Sequence, residues 1–141
     1  MSEGSLGSGA FTPRLVQGVP WLMDWWMAYS SADDYEAGLD YVEMGGLASE
    51  LVSRLKNHDA QPMRGLFERV EGILGSANKG ERKLVVVGFL EALQNVSLNE
   101  DVPLQTWHPL LGPLARQAWH DLQLLWQGGL SPVEFNRRYD P

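Results

Sequence analysis

The 141-residue sequence contains no cysteine. That excludes disulfides, thiolate nucleophiles and Cys-ligated zinc from its stability and its chemistry. Long apolar runs are missing too. Stretches such as Leu84–Val87 fall far short of the ~20 residues a bilayer-spanning helix needs. The opening MSEGSLGSGAF has neither the basic start nor the apolar centre of a signal peptide, so a cytoplasmic protein outside the membrane is expected. Strand signals are absent: no period-two run and no Asn-Gly or Asp-Gly hairpin turn occurs.

Basic residues are scarce in the first third. Residues 1–50 hold eight acids against the single Arg14, which equals the net charge of −7 for the whole chain, so residues 51–141 are neutral. An acidic balance disfavours nucleic acid and anionic membrane, because phosphate binding draws on Lys and Arg. It suits a basic protein surface, where complementary charge speeds encounter. The alternative is that these acids keep a Trp-rich segment in solution.

What is present is helical. One domain accounts for the length, over residues 11–129, with a Ser/Gly-rich tail at 1–10 and a mixed tail at 130–141. Thr12-Pro13 reads as an N-cap followed by proline at the first helical position. Pro20 restarts the chain into a segment apolar on nearly every side, with Trp21, Trp25 and Trp26. Ser30–Leu39 is an acidic loop, and the pair Gly45-Gly46 is expected to break the helix after it. Leu47, Leu51 and Leu55 then form one stripe, and Leu66, Phe67, Val70, Ile73 and Leu74 form the next. Glu81–Val96 is the most apolar helix and the expected centre, with Gly88 allowing close backbone approach. Trp119, Leu122 and Trp126 share a face of the last helix, which Gly128-Gly129 ends. The expected fold is all-α: a compact bundle of five to six helices around an apolar αα-hairpin of Pro62–Gly75 and Glu81–Val96. A HEAT-like stack stays open, although no repeat period is visible.

Catalytic patterns do not emerge. His58, His108 and His120 lie in separate segments without metal-ligand spacing, and no nucleophile elbow, Walker loop or dinucleotide fingerprint occurs. Neither a metal nor a cofactor is expected, and the chain is read as a non-enzyme. The carboxylates of Asp33, Asp34 and Glu36 read as solvated or partner-facing rather than as an acid–base pair. Glu91 and Asn95, one turn apart on the central helix, are expected to clamp a neighbouring loop through hydrogen bonds. Gly88 and Trp119 complete the expected structural set. The Trp residues near the N-terminus either fill a groove between later helices or present at least one ring to a partner.

Phe67-Glu68-Arg69-Val70-Glu71-Gly72-Ile73-Leu74, Val87-Gly88-Phe89-Leu90-Glu91-Ala92-Leu93-Gln94-Asn95 and the later Leu111-Gly112-Pro113 with Arg116 and Trp119 resemble a family of small bacterial helical proteins. Some of its members are described as immunity proteins of polymorphic toxin systems. Pro20-Trp21-Leu22 and Met44-Gly45-Gly46-Leu47-Ala48 resemble its earlier landmarks. The resemblance implies a bacterial immunity protein that neutralises a cognate toxin by occlusion. It carries no catalytic residue. Together with the charge pattern it points to a surface built from Asp24, Trp25, Trp26, Asp33, Asp34, Tyr35, Glu36, Asp40 and Glu43 that meets a basic toxin domain. A non-catalytic scaffold or adaptor, homodimeric through the Trp helix, is the alternative, and the oligomeric state is left open.

Overall fold

A computed structural model describes residues 11–57 and 61–140. The tail expected at residues 1–10, His58 and the start of the expected turn at 59–61 fall outside the described residues. Every regular element among the described residues is helical. The helices are α1 (Phe11–Val16), α2 (Pro20–Ser30), α3 (Asp40–Asn57), α4 (Arg64–Leu74), α5 (Lys79–Lys83), α6 (Glu91–Asn99), α7 (Pro113–Gln127) and α8 (Pro132–Tyr139). Short 3-10 turns at Gln61–Met63 and Leu104–Leu110 lead into α4 and α7.

Helices α5 and α6 belong to one rod, because Leu84–Leu90 between them continues the helix in the wider π form. Leu84, Val85, Val86, Gly88, Phe89 and Leu90 are all buried there. A π turn shifts the angular register of the residues beyond it, and so lets a run this apolar be covered by neighbours on several sides. The rod packs chiefly along α3 rather than against α4, so the expected hairpin is a lesser contact. At Gly88 an added Cβ would stand 3.1 Å from Leu84, 3.2 Å from Tyr41 and 3.3 Å from Met44. Helix α3 therefore comes as near as the missing side chain permits.

Helix α3 does not break at Gly45-Gly46 but runs through them from Asp40 to Asn57. The reason is tertiary. A Cβ on Gly46 would lie 2.9 Å from the Tyr29 ring and 3.5 Å from Trp25. The aromatic face of α2 needs that gap, and packing outweighs glycine's poor helix propensity of roughly 1 kcal/mol.

Two buried carboxylates tie distant segments to the core. Thr12 does not cap α1; its hydroxyl is buried and donates to Glu43 Oε1 at 2.6 Å. Asp121, on α7, accepts from Tyr139 Oη at 2.5 Å and pairs with Arg138 at 3.1 Å. With Phe135 also buried, α8 is docked on the body through Phe135 and Tyr139. Trp126 departs from its expected place: Trp119 is buried, but Trp126 is 59% exposed. Burial fades along the last turn of α7, where Leu125 is only partly covered.

Candidate functional site

The end of α2, the 31–39 loop and the start of α3 form one corner of the molecule, and its residues are held by aromatic packing. Tyr29 lies 5.2 Å from Trp25 and 6.1 Å from Trp26, ring centre to ring centre. Tyr35, on the loop, meets Trp26 and Tyr29 edge-on at 6.0 and 5.8 Å. Edge-to-face pairs in this range favour each other electrostatically. They fix a loop that has no regular structure of its own.

Glu43 anchors the corner from below. It is 1% exposed, and its second carboxylate oxygen accepts the Tyr35 hydroxyl at 2.7 Å. That hydrogen bond, followed by burial, pushes the Tyr35 phenol up to about 12. Burial, then the charges of Glu43 and Asp34, raises the Tyr29 phenol as well. A buried carboxylate needs such donors, and Thr12 and Tyr35 supply them.

Among the expected contact residues, Glu43 and Trp26 are therefore corrected. Glu43 is committed to two hydroxyls inside the core, and Trp26 is only 8% exposed. Trp25 and Tyr35 are half-buried, and Asp40 is half-buried in the first turn of α3, where a carboxylate complements the helix dipole. Trp21 is engaged elsewhere: its indole N–H donates to the Pro62 carbonyl at 3.2 Å, and Arg54 lies over its ring at 4.4 Å. Asp24, Asp33, Asp34 and Glu36 are exposed.

Those four exposed acids make no ion pair among the described residues. Most of the cations are engaged elsewhere. Arg14 pairs with Glu81, Lys56 with Glu100 and Lys83 with Asp140. Arg69, Arg82 and Arg116 donate to backbone carbonyls. The acidic loop, with Asp33, Asp34 and Glu36, thus carries a negative charge that no ion pair among the described residues offsets.

Beside it lies a shallow depression of about 290 Å³, with Tyr29, Tyr35, Leu39 and Val42 on its apolar side and Asp34 and Glu36 on its rim. Leu39 and Val42 are 41% and 58% exposed. Neither was expected from the sequence, where the density of tryptophan points one helix too early. Their spacing of three across the start of α3 was the available signal.

The expected clamp at Glu91 and Asn95 is also corrected. Asn95 is exposed, and neither side chain makes a hydrogen bond among the described residues. Burial without a partner raises the Glu91 carboxyl. The buried polar side chain here is instead the neighbouring Gln94, which is 1% exposed and donates to the backbone oxygen of Trp119, within helix α7 rather than a loop, at 3.0 Å. The π turn just before α6 resets which residues face inward, and a regular 3.6-residue count cannot foresee that. Trp119 is itself buried, and its indole N–H has no acceptor among the described residues.

His108 and His120 are exposed. No group of three His, Asp or Glu among the described residues is placed to hold a metal ion. No helix of the described residues is long and apolar enough to cross a membrane.

Fold and surface together define a small all-helical domain whose most distinctive feature is an acidic, partly aromatic corner. The chain belongs to the family described as "Domain of unknown function (DUF7674)", whose model matches residues 12–127. No curated protein and no solved structure matches it. The family match ends with α7, so α8 lies beyond it.

Proposed function

We propose that this domain is a protein-binding module whose acidic corner docks a basic partner, and that the partner is a toxin domain it holds inactive. One observation carries the docking: Asp34 and Glu36, exposed and without an ion pair among the described residues, line an apolar depression, and Asp33 adjoins them in sequence. Apolar centre and polar rim are the two ingredients of a specific interface. Unpaired charge raises the rate of encounter with a surface of opposite sign.

The toxin assignment rests on the family resemblance of the sequence and goes beyond what surface chemistry supplies. It is tested by expressing the product of the adjacent gene in bacteria, alone and with this chain. Arrest by the product alone and growth on co-expression supports the reading. A harmless product, or arrest that this chain does not relieve, overturns it.

The homodimeric scaffold is less favoured at this corner. A second copy would bring the same acids face to face, and like charges in contact oppose association. The expected dimer helix α2 has also turned Leu22 and Trp26 into the core.

A further inference from the structure

We infer that the depression between α2, the 31–39 loop and α3 receives one arginine side chain of the partner. This rests on the docking proposed above and names what the corner selects. The occupant must satisfy three surfaces at once. Leu39 and Val42 offer aliphatic area to a hydrocarbon stem. Tyr29 and Tyr35 offer aromatic rings, to which a guanidinium is attracted. Asp34 and Glu36 offer carboxylates that pair with no cation among the described residues.

Arginine meets all three demands. Its guanidinium is planar and weakly hydrated, stacks on aromatic faces and bonds carboxylates in a fork. Lysine presents a compact, strongly hydrated charge that gives up water less readily beside apolar walls. An apolar residue would leave the two acids without a partner, and an acidic one would be repelled. The walls are held before binding, by the Tyr35–Glu43 hydrogen bond and the edge-on Tyr29–Tyr35 pair. Preorganisation of this kind lowers the entropic cost of capture.

The test uses the full chain, isotopically labelled, titrated with Nα-acetyl-arginine amide while backbone amide shifts are followed by NMR. Saturable shifts are expected at Tyr29, Ala32, Asp34, Leu39 and Val42. Nα-acetyl-lysine amide should bind at least about threefold more weakly, and the norleucine analogue should produce no shift. Ala32 is an exposed residue of the depression. Ala32→Phe should therefore block the arginine shifts while leaving the circular dichroism spectrum unchanged, and Asp34→Asn with Glu36→Gln should abolish them. Equal shifts from lysine and arginine spread over every exposed acid would overturn the inference, as would no saturable shift with arginine. The arginine arm and the docking reading can fail separately. If arginine does not bind but reversing the loop acids still slows partner association, only the pocket assignment falls. If arginine binds but those reversals leave association unchanged, the docking site lies elsewhere.

Discussion

A Cβ at Gly112 would stand 2.5 Å from the carboxyl carbon of Glu71. The glycine is required because Glu71, on α4, closes over the first turn of α7. It accepts the amides of Leu114 at 2.7 Å and Ala115 at 2.9 Å. Those amides have no partner within their own helix, and a carboxylate there also meets the positive end of the helix dipole. Backbone conformation is not the cause, since Gly112 has φ −74. Two residues far apart in sequence, both within the strings that carry the family resemblance, are thus explained by one contact.

The contact predicts a coupled pair. Glu71→Ala should cost about 1–2 kcal/mol, the usual loss for a helix cap. Gly112→Ala should cost about 1–3 kcal/mol by forcing the carboxylate off its amides. The double variant should lose clearly less than the two costs added, because the three atoms nearest the added methyl all belong to the Glu71 side chain and leave with it. Denaturant unfolding of the four proteins checks this, and strict additivity would disprove the coupling.

Tyr35 predicts an alkaline limit on stability. Its phenol is raised from the ordinary tyrosine value to about 12 by the bond to Glu43. The folded chain therefore holds that proton more tightly than the unfolded chain does. The contribution is complete below the ordinary tyrosine value and is lost as pH rises toward 12. Tyr35→Phe should flatten the fall in stability over this window, measured by urea unfolding at a series of pH values. It should also cost about 1 kcal/mol at neutral pH through the lost hydrogen bond.

Gln94 and Glu91 should behave oppositely despite lying three residues apart. Gln94→Ala removes a buried hydrogen bond that ties α6 to the Trp119 carbonyl of α7 and should lower stability by about 1 kcal/mol. Glu91→Gln should raise the melting temperature at neutral pH, because burial opposes the charged form. Since the folded carboxyl is raised, its penalty applies only above the ordinary carboxylate range. The gain from Glu91→Gln should therefore vanish in acid, below that range. A Glu91→Gln variant that is destabilised at pH 7 would contradict this account.

Reversal of Asp33, Asp34 and Glu36 to Lys tests the acidic corner directly. With a basic partner in hand, stopped-flow association should slow several-fold at low salt, and the difference should shrink as ionic strength rises. Circular dichroism should be unchanged, because these side chains are exposed and unpaired. Unchanged association rates would move the interface away from this loop.

By itself the sequence determined the helical class, the lack among the described residues of a helix long and apolar enough to cross a membrane, and the uneven charge. Each of these depends on composition or on local periodicity. Gly128 ends α7 with φ 82, as its lack of a side chain allows. The stripe of Leu66, Phe67 and Val70 faces the core as its spacing requires. The remaining features needed tertiary structure, because each depends on a contact between residues far apart in the chain. Helix α3 passes through Gly45-Gly46 because Tyr29 packs there, and Glu43 is withdrawn from the surface by hydroxyls at Thr12 and Tyr35. Inside the rod the π turn makes Gln94, rather than Glu91 or Asn95, the buried donor. Local pattern tells which way a side chain would point in a regular helix. Only the packed neighbours decide where the helix departs from regularity and which charges are left unpaired for something else to meet.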